Sequence, residues 1–236
     1  MVKELNRSLY SANEKSKLNI FLNVLIVLII AALIAEIAFS ATYSGIYVVG
    51  ASMNDTLQGA HEFEKDGMII ADTSGDYVYV DRHRRPTYGD IVVVRKADNT
   101  NIIKRVIALG GDRVKLDHGI LKISYSKDSV KYDGTNDFVV VEESYVSDAN
   151  KSENINYCND DKGHYVNYGS FFLLGDNRNN SIDSRNYGNF PLSNLYGVVT
   201  EWSLNGKSFF TAVHKYFSFD LPACFGIDNR IKHPKT

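Results

Sequence analysis

From Leu18 to Ala35 the chain carries no charged side chain, and the run Asn19-Ile-Phe-Leu-Asn-Val-Leu-Ile-Val-Leu-Ile-Ile-Ala-Ala-Leu-Ile-Ala35 is almost wholly aliphatic. Glu36 interrupts it, and Ile37-Ala-Phe-Ser-Ala41 continues it. From Asn19 to Phe39 this is roughly 20 residues, enough at about 1.5 Å per residue to cross a hydrocarbon layer about 30 Å thick. Three readings compete. A buried core helix is disfavoured because the segment is apolar all round and lacks a polar stripe. A cleaved signal peptide normally has a shorter apolar stretch, although Ala38-Phe-Ser-Ala41 resembles a small-residue cleavage site. An uncleaved anchor over about residues 19–40 fits the length best, with Glu36 near the interface.

Basic residues orient such an anchor. Lys3, Arg7, Lys15 and Lys17 precede it, and the first basic residue after it is Lys65. The positive-inside rule therefore keeps residues 1–18 cytoplasmic and exports residues 41–236, leaving the protein single-pass in the cell membrane. A whole-chain mean hydropathy of −0.21 excludes a polytopic membrane protein but not one helix. Lys and Arg total 26 against 28 Asp and Glu, so the basic excess expected of a nucleic-acid partner is missing. Cys158 and Cys224 would lie in a compartment that permits disulfides, and the sequence leaves open whether they pair.

The exported part reads as mainly β. Short runs rich in Val, Ile and Tyr, such as Tyr77–Asp81, Asp90–Arg95, Ile102–Leu109 and Phe171–Asp176, are separated by Gly, Asp and Asn. This is the pattern of many antiparallel strands. Between about 115 and 169 the composition shifts toward Asp, Asn, Ser, Lys and Tyr, which reads as an insertion into a larger sheet structure. The tail after Trp202 is apolar but carries Lys207, His214, Lys215 and Asp220, against a second spanning helix.

Four segments carry residues suited to chemistry. Ser52 sits among small residues after the anchor; an isolated serine there is ordinarily a turn hydroxyl. Lys104 is less ordinary, because alternation places it on one strand face with Ile102 and Val106. Either it snorkels to water, or burial disfavours its charged form and leaves an amine able to take a serine proton. The six histidines show no HExxH or other metal spacing, and no GxSxG is present. Gly110-Gly-Asp112 is no phosphate loop, and no cofactor is expected.

Taken together, Ser52-Met53, Gly89-Asp90-Ile91-Val92, Lys104-Arg105 with Gly111-Asp112, and Gly175-Asp176-Asn177-Arg178 with Ser181 and Asp183-Ser184-Arg185 resemble the ordered boxes of type I signal peptidases (leader peptidases). Those are membrane-anchored proteases with an antiparallel β-sheet catalytic domain, and the likeness is to Gram-positive-like, somewhat divergent members. The resemblance implies a Ser/Lys dyad with Ser52 as nucleophile and Lys104 as general base. It implies that the Ser181 hydroxyl orients the lysine, that Asp183 and Arg185 form a supporting salt bridge, and that Arg105 follows the lysine as usual. The oxyanion would be held by the backbone N–H of Ser52. Some members add a serine hydroxyl where this chain has Gly50.

Substrates implied are secretory preproteins, bound extended and cut after Ala-x-Ala, with membrane lipid and the secretion translocon as further partners and no nucleic acid. Positions matching the substrate pocket are Val48, Gly50, Met53, Leu57, Ile102 and Ile103, the apolar ones equally readable as sheet core. Two prolines usual in the family are replaced, by Asp55 and by Gly110, which suggests less preorganised loops. These departures motivate an alternative reading: a catalytically silent relative that assists assembly of surface proteins. A self-cleaving repressor would use the same chemistry, but the spanning segment and the lack of a DNA-binding half argue against it.

Overall fold

The computed structural model describes residues 2–65, 68–72, 74–151 and 153–217. It divides into two compact units, Met1–Tyr43 and Ser44–Thr236.

The first unit is one helix, α1 (Val2–Thr42), longer at both ends than the apolar run requires. Its 27-residue stretch Ser16–Thr42 is long and apolar enough to cross a membrane, and its most apolar 18 residues are not buried. Leu22, Val27, Ile30 and Ile34 are all exposed. So many aliphatic side chains facing outward on every side are what a membrane anchor presents to lipid.

The second unit is built on strands. A seven-stranded sheet contains β1 (Tyr43–Tyr47), β4 (Tyr77–Asp81), β13 (Leu195–Val199), β5 (Ile91–Arg95), β6 (Asn101–Leu109), β11 (Ser170–Leu174) and β12 (Phe190–Pro191), adjacent in that order. β5 pairs antiparallel with β6, placing Val92 opposite Lys104 and Ile91 opposite Arg105. β6 and β11 also pair antiparallel, with a register shift between Phe172 and Leu173. A four-stranded sheet, in the order β10 (His164–Tyr165), β7 (Arg113–Asp117), β8 (Ile120–Ser124), β9 (Val139–Val140), lies in sequence between β6 and β11. It occupies the stretch whose composition suggests an insertion. A hairpin of β2 (Glu62–Lys65) and β3 (Met68–Ala71) stands apart.

Both faces of the large sheet are covered. Ile91, Val93 and Ile103 pack with Val48, Met53, Leu57, Val78, Val80 and Val199 in one cluster. Val92, Val94 and Val106 pack on the opposite face with Phe171, Leu173, Phe190 and Val198. This explains why Ile91–Val94 is a continuous apolar run and not an alternating one. Each fully buried Val or Phe contributes about 1.5–3 kcal/mol by leaving water. Among the described residues, three short α-helices follow or interrupt the strands: α2 (Ser184–Tyr187), α3 (Glu201–Asn205) and α4 (Lys207–Phe217). At 11 residues α4 is too short to span a bilayer. Cys158 is exposed; Cys224 lies outside the described residues, and with it any bridge between the two.

The turn after β6 joins the two sheets. Gly111 has φ +99° and donates to Val166 O, while Val166 N donates to Asp112 O. The buried Asp112 carboxylate accepts from Leu109 N, Ser126 N and the Tyr88 hydroxyl. Gly110, expected to loosen this turn, is instead closely packed: a Cβ there would lie 2.8 Å from Tyr168 Cα and 3.0 Å from Asn167 O. Those are backbone atoms and cannot swing aside. Restoring the usual proline by Gly110→Pro, or placing Ala there, is therefore expected to cost about 1–3 kcal/mol through overpacking. That corresponds to a melting temperature lower by several degrees in a thermal scan. An unchanged or raised value would show that the 167–169 strap yields easily.

Candidate active site

Ser52 lies in the turn that leaves Val49, itself bridged to Ala60. Met53 and Leu57, both fully buried, pin this turn into the core beside Val48, and Leu57 N donates to Met53 O. Gly50 enters the turn at φ +79°, a left-handed conformation that glycine adopts without strain. From the other side Asn177 holds the turn twice. Its backbone N donates to Ser52 O at 3.1 Å and its Nδ2 to Ala51 O at 3.2 Å. Among the described residues, no backbone carbonyl accepts from the N–H of Ser52.

Lys104 projects from the middle of β6 and is only 4% exposed. Its strand position faces Val92, and Ile102 and Val106 pack in the same cluster as Val92, as alternation predicts. The long side chain then reaches Ser52: Nζ lies 2.6 Å from Ser52 Oγ and donates to Ile103 O at 2.8 Å. Burial lowers the Lys104 pKa to about 8, against the opposing pull of the Asp183 and Asp176 carboxylates. The amine is thus largely buried, held on two partners, and poised to lose its proton near neutrality.

Arg105 points to the neighbouring carboxylate. Its Nε and Nη2 bind both oxygens of the fully buried Asp176, at 2.8 and 2.6 Å, and Nη1 donates to Gly89 O at 2.7 Å. The Thr56 hydroxyl donates to Asp176 Oδ2 at 2.6 Å, tying the serine turn to the same pair. Asp183 and Arg185 form a two-point pair at 2.8 and 2.9 Å. Asp183 also accepts from Gly175 N and caps α2 through Arg185 N. Burial pushes the Asp183 carboxyl upward, but the Arg185 guanidinium outweighs it and holds the group below its ordinary range.

Other expected positions behave differently. Ser181 Oγ is buried and makes no well-formed hydrogen bond among the described residues, lying only near enough to Asp183 to help hold that carboxyl down, so the contact to Lys104 implied by the resemblance is not formed. Ile103 O holds the lysine instead. Ser181 is nevertheless adjacent to the site. A Cβ on Gly175 would lie 2.3 Å from Ser181 Oγ and 2.5 Å from Ser52 O, which explains why a glycine stands between them. Val48, Met53 and Leu57, expected to line a substrate pocket, have essentially no exposed surface and form core beneath the serine turn. Ile103 is buried in the same cluster, whereas Ile102 packs on the opposite face of the sheet, so these side chains do not share one pocket. The physical reason is that alternation sends consecutive strand residues to opposite faces. Among the described residues no group of three or more His, Cys, Asp or Glu could hold a metal ion.

Sequence reasoning missed several contributors. Asn150 Nδ2, from the inserted segment, donates to Asn54 O and to Asp55 Oδ2, so Asp55 is clasped where the family has proline. Lys207 Nζ donates to Thr56 O at 2.7 Å and pairs with Asp76. Both partners lie some 95 residues or more from the turn they hold, and no local pattern announces them.

Comparisons with known proteins place the chain in a family. A family model described as "Signal peptidase, peptidase S26" matches residues 20–203. Signal peptidase I U of Bacillus subtilis (strain 168) is 30% identical over 186 residues, covering 77% of this chain and 85% of that protein. Signal peptidase I of Bacillus licheniformis is 29% identical over 180 residues, covering 75% and 82%. A mitochondrial ATP-independent inner membrane protease subunit 1b of Arabidopsis thaliana is 31% identical over 155 residues, covering 65% of each chain. A crystal structure of a signal peptidase I from Enterococcus faecalis V583 superposes with a TM-score of 0.38 at 30% identity, covering 50% of this chain and 98% of that one. With a family match spanning the apolar helix, the serine turn, β6 and the Gly175–Arg185 segment, the chain belongs to the signal peptidase family, peptidase S26.

Proposed function

We propose that this protein removes signal peptides from exported preproteins through a Ser52/Lys104 dyad while anchored in the cell membrane by α1. The observation that carries the reading is the 2.6 Å approach of Lys104 Nζ to Ser52 Oγ, with the amine buried. In the neutral state the amine accepts the Ser52 proton as Oγ attacks the scissile carbonyl carbon. The resulting oxyanion lies within reach of the Ser52 N–H, which supplies preorganised stabilisation. The lysine then passes its proton to the leaving amine, the C–N bond breaks, and an acyl-Ser52 ester remains. Lys104 next takes a proton from water as its oxygen attacks the ester carbonyl; the Ser52 C–O bond then breaks, and Lys104 returns the proton to Ser52 Oγ, releasing the carboxyl product.

The substrate lies extended near the serine turn, with Ala-x-Ala before the cut. Residues 1–18 stay cytoplasmic and the catalytic unit works outside, as the basic residues before the anchor favour. Membrane lipid and the secretion translocon are its partners in this setting.

Purified full-length protein in detergent micelles or vesicles is expected to cleave a secretory precursor carrying Ala-x-Ala, and Ser52→Ala to leave the precursor intact. Equal cleavage by the variant would remove Ser52 from the chemistry. A folded parent with no turnover would favour the silent assembly factor instead.

A further inference from the structure

The inserted segment between β8 and β10 sends one acidic residue into the interior, and it is not part of any box. Glu143 is 8% exposed and meets Arg178, 3% exposed, in a two-point ion pair. Arg178 Nη1 donates to Glu143 Oε2 at 2.8 Å, and Nη2 bonds Oε1. The Tyr145 hydroxyl donates to the same Oε1 at 2.7 Å, and the Tyr145 ring stacks 3.9 Å from the Arg105 guanidinium. Burial and then Glu143 push the Tyr145 phenol upward, so it stays a donor. Burial opposes the Arg178 charge, but Glu143 more than restores it.

Arg178 uses its third donor on the site itself: Nε donates to Gly175 O at 3.0 Å, closing the turn 175–178. Within that turn Asp176 binds Arg105 and Thr56, and Asn177 binds Ala51 O and Ser52 O. Every residue of the turn after Gly175 is therefore committed either to the nucleophile loop, to the residue beside Lys104, or to Glu143. A buried guanidinium without its carboxylate is strongly unfavourable and would leave this turn for water.

We infer that Glu143, assisted by Tyr145, is a positioning residue for Ser52: it anchors Arg178 so that the 175–178 turn holds the nucleophile loop against Lys104. This rests on the proposed function only for its kinetic readout. Such a residue acts on the chemical step and leaves substrate binding alone, since it touches neither the substrate nor the reacting atoms.

The experiment compares parent, Glu143→Gln and the double variant Glu143→Gln/Arg178→Met in full-length protein, using an Ala-x-Ala peptide and amide hydrogen exchange. Glu143→Gln strands the Arg178 charge and is expected to lower kcat at least tenfold with KM within twofold. The double variant removes the stranded charge, so its melting temperature returns to near that of the parent. Its kcat stays low, because nothing then holds Gly175 O. Amides in residues 50–57 exchange faster in both variants while those of β5 and β6 keep their protection. The inference is overturned if the double variant regains both melting temperature and kcat, if KM alone rises, or if exchange over 50–57 is unchanged. A parent that cleaves nothing sinks the proposed function alone, and the exchange measurement still decides the role of Glu143.

Discussion

Replacing Lys104 with Met is expected to abolish turnover while making the protein harder to unfold. Methionine matches the length and volume of the lysine stem but cannot take a proton, so the base proposed for Ser52 is lost with little change in packing. General-base loss in such dyads costs at least about 10³-fold in kcat. The stability gain has a separate origin. Burial holds the Lys104 pKa at about 8 in the folded chain, below its ordinary value of 10.5. Below about pH 8 the ammonium is charged in both states, yet only the folded state has stripped it of water. The difference between 10.5 and about 8 corresponds to roughly 3 kcal/mol of destabilisation at neutral pH. Lys104→Met relieves it, raising the melting temperature by roughly 5–10 °C at pH 7. Between pH 8 and 10.5 the unfolded chain binds the extra proton, so parental stability rises with pH and the advantage of the variant shrinks. A variant that melts below the parent at pH 7 would mean that the ammonium is well solvated or well paired, contrary to its 4% exposure.

The pH profile of the parent reads the same group in catalysis. Because only the neutral amine can accept the Ser52 proton, kcat/KM for a substrate without titrating groups is expected to fall about tenfold per unit below about pH 8 and to level off above it. The Asp183 and Asp176 carboxylates act against burial and keep the limb from moving further toward acid. Asp183 is itself held ionised by Arg185, so it contributes this field across the working range. A flat profile from pH 5 to 9 would exclude a titrating lysine base. A limb near pH 6.5 would point to a histidine, yet no histidine shares a hydrogen bond with Ser52 or Lys104 among the described residues.

The two expectations share a cause, for the burial that makes Lys104 useful also makes it expensive. The surrounding structure offsets this cost with features whose roles are plain in space. Arg105 and Asp176 neutralise one another beside the lysine, Asp112 links the two sheets, and Asn150 and Lys207, both far along the chain from it, grip the serine turn.

Much of this could be read from the residues alone, for reasons of scale. A run of roughly 20 apolar residues is long enough to cross a bilayer, so a helix able to span one follows from composition and length. Alternation over Ile102–Ile107 is a local property of strands, so the apolar setting of Lys104 follows as well. The order of the four boxes pointed to Ser52, Lys104 and the Asp183–Arg185 pair, all of which the fold brings to one place. Other features were hidden because they depend on distances in space between residues far apart in sequence. Nothing near Glu143 marks it as the partner of Arg178, 35 positions away. Gly110 reads as freedom until the 167–169 strap is seen lying on it. Val48, Met53 and Leu57 read equally as pocket or core, and only packing around the serine turn assigns them to core. Sequence by itself thus determined the apolar helix and the β-rich class, since each rests on local periodicity or composition, while the likeness of the ordered boxes to a known family singled out Ser52 and Lys104. Tertiary structure alone decided how the pair is held, because a hydrogen bond or a buried charge is satisfied by whatever the fold brings within about 3 Å.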